Sequence, residues 1–342
     1  MAAREKSNEI RRFILRTADK HPRDVGIMAA EKFKISRQAV SRHISVLIGK
    51  GLITAEGNTR KREYRLKKLV EVEIPVRLGP AMSEDRVWTE VVEPHLGELA
   101  KNVYTICIHG FTEIMNNAIE HSEGSGAVIT VEIDAVKITL QVFDDGIGIF
   151  RKISQELGLA DDRHALLELA KGKFTTDPEH HSGEGIFYTS RMFDEFSIKS
   201  RRLFCLHNVE ENDWLFEDLD KETNGTLVSM TIDKESTRTT TEVFDRFTTK
   251  EDVNVFSRTS VPVTLAQYGE ENLVSRSQAK RLLARFDKFK EVVLSFKGVE
   301  RIGQAFADEI FRVFKKAHPD LSILYIEAND EVEKMIKRAL SK

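Results

Sequence analysis

Two glycine pairs constrain this chain more than any other feature. Gly146 and Gly148 stand in Asp144-Asp145-Gly146-Ile147-Gly148-Ile149, directly after ITLQVF (138–143), whose composition and alternation read as a strand. Gly183 and Gly185 stand in Ser182-Gly183-Glu184-Gly185-Ile186, which opens a helix running to about Phe193. Without a Cβ, glycines at this spacing let the backbone approach a flat ligand closely. An acidic group at a strand end, here Asp144, can accept a hydrogen bond from an adenine amino group. Helix N-termini with exposed N–H groups favour phosphate. Asn224-Gly225-Thr226, ahead of the strand LVSMTI, is expected to bring a hydroxyl beside the same pocket. The motif G-x-x-x-x-G-K-[ST] does not occur, so this is not a P-loop protein.

Residues 103–121, VYTICIHGFTEIMNNAIEH, carry apolar residues at the spacing of a helix packed on a sheet. Glu113 and Asn117 lie four apart and so share one helical face. A carboxylate there can activate a hydroxyl or water, while the carboxamide oxygen ligates a hard cation. The plain alternative is a solvated helix face, where polar pairs at this spacing are common.

The chain has 342 residues, enough for two or three domains. Its 41% apolar and 31% charged residues are those of a folded globular protein rather than a disordered one. No run approaches the ~20 apolar residues of a membrane span. The start, MAAREKSNEI, lacks the apolar stretch of a secretory signal, so the expected location is the cytoplasm. Cys107 and Cys205 are the two cysteines, which excludes a disulfide framework and a cysteine-based zinc site. No H-E-x-x-H occurs, and His180-His181 reads as solvated.

The net charge of −3 hides an asymmetry: residues 1–68 hold 18 Lys+Arg against 7 Asp+Glu, whereas the remainder is acidic. A basic head on an acidic body suggests a nucleic-acid-facing domain, the alternative being a solvated basic face. Within the head, Ile10, Phe13, Ile14 and Thr17 give a first helix near 7–20. Pro22 ends it, and Asp24 caps a second helix to about Phe33. Ser36 is a good N-cap for a third, Arg37 to Lys50, with a buried stripe of Val40, Ile44, Leu47 and Ile48, ended by Gly51. Leu52-Ile53-Thr54, a turn at Glu56-Gly57-Asn58, and Arg60 to Leu66 then read as a two-stranded basic hairpin.

That order, with SRQAVSRHISVLIGKGLI, closely resembles the winged helix-turn-helix of bacterial transcription regulators. The resemblance implies that Arg37, Gln38, Ser41 and Arg42 face base edges and phosphates in the major groove, and that Arg60, Lys61 and Arg62 lie over the backbone. A winged-helix protein-interaction domain would carry the same apolar pattern.

Taken in order, Glu113/Asn117, Asp144–Gly148, Ser182–Ile186 and Asn224–Thr226 resemble the N, G1, G2 and terminal Gly-Thr motifs of the GHKL, or Bergerat-fold, ATPase superfamily. That group includes gyrase, heat-shock chaperone ATPases, histidine kinases and mismatch-repair MutL. The resemblance covers about residues 75–235. It implies that Glu113 is the general base, Asn117 the Mg2+ ligand and Asp144 the adenine-reading carboxylate. Gly146, Gly148, Gly183 and Gly185 would be the nucleotide-binding glycines, with Thr226 near the adenine. Residues 150–182 would form the ATP lid, where Lys173 could meet a phosphate or stay exposed. Histidine autophosphorylation is not expected. None of the ten histidines precedes Asp or Glu, and His109 falls on the helix of the nucleotide domain itself.

TEIMNNAIEHSEG looks most like the anti-sigma-factor serine kinases, whose partners are small STAS-domain proteins. After a polar linker at Ser236–Glu242, Glu291–Phe296 and Leu321–Ile326 read as buried strands. Between them lies a helix from Gly303 to Ala317, carrying Phe306, Ile310, Phe311 and Phe314 on its core side. Residues 254–340 resemble a STAS-like domain. STAS antagonists accept phosphate on Ser or Thr at the start of this helix, but Gln304 and Ala305 stand there, so a phosphorylation switch at that site is not expected. Docking onto the ATP module, a partner surface, and a plain α/β dimerisation domain are the remaining roles.

The expected whole is an α+β multidomain protein: a winged helix-turn-helix over 1–68, a Bergerat-fold α/β sandwich over 69–235 and an α/β STAS-like domain over 243–342. The expected function is that of an ATP-binding regulatory protein, a transcriptional regulator whose binding to double-stranded DNA or to a regulatory protein partner is gated by Mg-ATP binding or slow hydrolysis. The alternatives are a serine/threonine kinase acting on a separate regulatory protein and a non-enzymatic ATP-sensing scaffold. A homodimer is the expected assembly, with no membrane partner.

Overall fold

A computed structural model describes residues 2–58, 61–79, 81–159, 161–173, 183–209, 213–249, 255–267 and 272–341. Arg60 and the 174–182 part of the expected lid, with His180 and His181, lie outside these residues.

The head consists of α1 (Ala2–Lys20), α2 (Val25–Phe33), α3 (Arg37–Gly49) and the antiparallel pair β1 (Ile53–Glu56) and β2 (Glu63–Leu66). The first helix thus begins five residues before its expected start. Ser36 Oγ accepts from Ala39 N at 3.2 Å, satisfying an amide that the first turn of α3 leaves without a helical partner. Gly51, at φ +68°, turns the chain out of that helix. Val40, Ile44 and Leu47 are buried as expected, but Ile48 is 40% exposed. It follows Leu47 by one residue, about 100° around the helix, and falls off the buried stripe. Ile10, Ile14, Val25 and Ala29 join α3 in a core separate from that of the rest of the chain.

β3 (Val70–Arg77) starts the second block. α4 (Glu84–Val87), a π-helical turn (Trp88–Val92) and α5 (Glu93–Leu96) lead to α6 (Lys101–His121). β4 (Gly126–Ile133) and β5 (Lys137–Asp144) follow, then α7 (Ile149–Leu157), α8 (Asp162–Lys171), α9 (Gly185–Met192), β6 (Glu195–Asn208) and β7 (Asp213–Asp233). The five strands form one antiparallel sheet in the order β3-β4-β5-β7-β6. Alternation along β5 buries Ile138, Leu140, Val142 and Asp144. On the opposite face Thr139 and Thr231 share a hydrogen bond, and Gln141 donates to Ser229. α6 and α9 pack together, with α6 against β5 and β7. The strand expected to begin after Thr226 is the second half of the longer β7, whose pairing with β6 is irregular near Arg201.

The expected linker is partly structured. Thr239 and Glu242 form a reciprocal capping box that starts α10 (Thr240–Asp245). The third block comprises β8 (Arg258–Pro262), a 3-10 turn (Val263–Ala266), α11 (Arg276–Leu283), a 3-10 turn (Phe286–Lys288), β9 (Glu291–Ser295), α12 (Gln304–Asp308), a π-helical turn (Glu309–Phe314), α13 (Lys315–Ala317), β10 (Ser322–Ile326) and α14 (Asp330–Leu340). Its strands are parallel in the order β10-β9-β8. β9 is buried, but β10 is an edge strand with Leu324 43% and Ile326 40% exposed, so the expectation of two buried strands holds for one. The helix expected over 303–317 is continuous in path, with a π-helical turn inside it.

Head and second block meet through ion pairs. Arg16 reaches Asp233 at 2.9 Å, Arg12 reaches Glu235 at 3.0 Å and Lys137 reaches Asp19 at 2.7 Å. The Arg12–Glu235 pair is exposed and contributes at most about 1 kcal/mol, whereas Asp233 and Lys137 are half-buried. Second and third blocks instead share one continuous apolar core, in which the rings of Phe187 and Phe256 lie 4.5 Å apart.

Candidate functional site

α6 supplies the spine of the site. Glu113, Asn117 and His121 recur every fourth residue and line one cavity of about 330 Å³, spanning about 12 Å of helix axis. Asn117 donates its amide nitrogen to the Glu113 carbonyl at 2.7 Å, which leaves the carboxamide oxygen as its remaining acceptor. One turn before Glu113, burial holds His109 below its ordinary pKa, against the opposing pull of the Glu113 carboxylate. His109 packs edge-on to Phe244.

The first glycine pair fixes the far end of this spine. Ile147 N donates to the Ser122 carbonyl at 3.0 Å, drawing the loop after β5 onto the C-terminus of α6. A Cβ on Gly146 would stand 2.1 Å from that carbonyl oxygen, so this glycine is required for the close approach. Gly146 does not line the cavity; Gly148, at φ +93°, does. Of the two adjacent aspartates, Asp144 lines the cavity and Asp145 holds the loop. Asp145 accepts from Ser125 N at 2.7 Å, Ser125 Oγ at 2.9 Å and Gly126 N at 2.9 Å, and these bonds hold its carboxyl below the usual range. Asp144 is buried, and burial raises its pKa against the hydrogen bonds it receives from Gly146 and Thr226.

Thr226 lies directly across the β5–β7 pair from Asp144 and accepts from Ile149 N at 2.9 Å, tying α7's first residue to the sheet. Gly225, at φ +80°, passes so close to Asp144 that a Cβ would stand 1.8 Å from its carbonyl oxygen. The second glycine pair closes the opposite end. Gly183 and Gly185 line the cavity at the N-terminus of α9, and a Cβ on Gly185 would stand 1.8 Å from Glu113 Oε2.

Seven of the eight expected ligand residues therefore border one cavity: Glu113, Asn117, Asp144, Gly148, Gly183, Gly185 and Thr226. Gly146 shapes it from behind. The apolar wall includes Val142, Ile149, Ile153, Leu169, Ile186 and Val228. Lys152 also lines the cavity and was not singled out from sequence. Its position four residues after Gly148, in step with Ile149 and Ile153, was the available signal. It pairs with Glu123 at 2.6 Å, which raises its pKa. Lys173 does not border the cavity and is not simply solvated; its Nζ donates to the Lys288 carbonyl at 2.8 Å, over Phe256 and Phe289. No group of three or more His, Cys, Asp or Glu among the described residues could hold a metal ion.

On the head, Arg37, Gln38, Ser41 and Arg42 are exposed and, at positions i, i+1, i+4 and i+5, lie together on α3. Lys61 and Arg62 of the hairpin are also exposed. At the other end of the chain, Gln304 and Ala305 open α12, which packs on α11 and α14; among the described residues, none after Val228 borders the cavity.

A family model described as "STAS-like domain of unknown function (DUF4325)" matches residues 278–333, from within α11 to within α14. The STAS-like reading of this part of the chain is therefore met. A search of the curated proteins finds no match. No helix among the described residues is long and apolar enough to cross a membrane.

Proposed function

We propose that the cavity binds Mg-ATP and that the chain is a nucleotide-gated regulator acting on double-stranded DNA. The observation that carries this reading is the convergence of four separate sequence segments, around residues 113–117, 144–148, 183–185 and 224–226, on one cavity in the order the Bergerat-fold resemblance requires. Asp144, buried beside apolar walls, suits the amino group of an adenine ring. The N-terminus of α9, with no Cβ at Gly183 or Gly185, suits phosphates. Asn117 suits Mg2+, which takes one or two protein oxygens and completes its shell with phosphate oxygens and water. Mg-ATP would supply the electrophilic γ-phosphoryl group, whose bond to the ADP leaving group breaks as the bond to the attacking oxygen forms. Glu113, half-buried at the same end of the cavity as Gly185, would accept the proton of the attacking hydroxyl or water.

The winged-helix reading of the head rests on its element order, the exposed row on α3 and the excess of basic residues. A kinase acting on a separate protein is the second reading, favoured by Glu113; the lack of hydroxyls at Gln304 and Ala305 argues against transfer within the chain at that position. Incubation of the pure protein with ATP labelled at the γ-phosphate separates the two. Release of labelled phosphate, lost in Glu113→Gln, is the expected outcome. Label retained on an added or intrinsic protein hydroxyl supports the kinase, and wild-type turnover by Glu113→Gln removes Glu113 as the base.

A further inference from the structure

α8 has two occupations. Leu169 forms part of the cavity wall, while Glu168 and Lys171 are turned into the STAS-like side of the molecule. Lys171 is fully buried, and its ammonium has three acceptors: Glu168 Oε1 at 2.6 Å, the Ala284 carbonyl at 2.9 Å and the Arg281 carbonyl at 3.2 Å. The two carbonyls end α11, so Lys171 supplies from another element both the hydrogen bonds and the positive charge that a helix C-terminus favours. Glu168 Oε2 in turn accepts from Arg285 Nη1 at 2.8 Å, and Arg285 Nη2 donates to the Lys173 carbonyl. From β8, Thr259 Oγ1 donates to the Lys171 carbonyl at 2.7 Å. Beside this cluster, Phe187 of α9, which also borders the cavity, packs at a tilt against Phe256.

Two helices that contribute to the cavity wall thus also touch the third block, α8 through this cluster and α9 through Phe187 on Phe256. Buried ion pairs contribute little net stability, and apolar residues of similar volume often do as well or better. What such a cluster does supply is one defined docking geometry, since every donor must find its acceptor for the arrangement to hold. A ligand pressing on Leu169 acts on the helix whose Lys171 terminates α11, and one pressing on Phe187 acts on a ring packed against Phe256.

We propose that the STAS-like domain is the built-in regulator of the cavity: its docking on α8 through the Glu168–Lys171–Arg285 cluster and nucleotide occupancy of the cavity are reciprocally coupled. This rests on the Mg-ATP reading. Because the cluster's face is occupied within the chain, regulation operates in cis, and any separate protein acting through this face must first displace the domain. The coupling is symmetric: whatever loosens the grip changes ATP affinity, and ATP changes the grip by the same factor.

The test uses the full chain, measuring ATP affinity by calorimetry and amide hydrogen exchange over 276–288 with and without saturating Mg-ATP. In wild type, ATP is expected to change exchange in this segment, which does not border the cavity. Arg285→Ala is expected to shift the ATP dissociation constant about fivefold or more and to abolish that exchange response. Thr259→Val, which keeps shape and removes the hydroxyl bond to Lys171, is expected to give a smaller shift in the same direction. If Arg285→Ala does not fold, Thr259→Val and the wild-type exchange decide. ATP binding with an unchanged constant in the folded variants, and no exchange response in wild type, overturns the coupling and leaves the nucleotide reading intact. No ATP binding by wild type overturns both.

Discussion

At Gly185 the α9 backbone passes within contact distance of Glu113, the residue proposed as general base. An added methyl would meet Glu113 Oε2 at 1.8 Å, and the flexible carboxylate rather than the backbone would give way. Gly185→Ala is therefore predicted to fold with wild-type stability to within about 1 kcal/mol and to lose most turnover; circular dichroism melting with γ-phosphate release checks both halves. Unaltered turnover would show that Glu113 tolerates displacement and is not the base. Gly146 and Gly148 look alike in sequence, yet one supports the loop against Ser122 and the other lines the cavity. The same division separates Asp144 from Asp145. Spacing makes such residues visible as a group, but their separate tasks depend on Ser122 and Ser125, which the fold brings from elsewhere in the chain.

Among the elements, α3 and the hairpin were the most legible, because local apolar spacing, a serine cap and a glycine stop all agree. Ile48 shows the limit of a stripe read by eye, since one residue carries it off the face. β10 was misread as buried because an apolar run looks the same in a central strand and at an edge, where only pairing order distinguishes them. The linker reading missed α10, whose Thr239–Glu242 capping box was present in the sequence as Thr-x-x-Glu. On the proposed DNA-binding reading, the exposed row on α3 makes a quantitative claim. Arg37→Ala/Arg42→Ala is predicted to weaken duplex DNA binding and to lower the slope of log affinity against log salt by about 2, one per lost phosphate contact. A slope identical to wild type in a titration series from low to high salt would take α3 out of the interface.

At the scale of the molecule, each of the three sheets falls within one of the blocks suggested by composition and pattern, but the unequal joining of the blocks was not legible. Head and second block meet through ion pairs, whereas second and third share an apolar core and the buried cluster at Lys171. Glu168 alone among its partners is near Lys171 in sequence; the Arg281 and Ala284 carbonyls that complete its burial lie more than a hundred residues away. The cavity likewise draws on segments spread from Glu113 to Val228, and its meaning rests on what it binds. The most direct measurement is a calorimetric titration of ATP into the full chain, with and without Mg2+, for wild type and Asn117→Ala. Saturable binding that requires both Mg2+ and Asn117 is the predicted result. No saturable binding by wild type at millimolar Mg-ATP, or equal affinity in Asn117→Ala, would contradict the account.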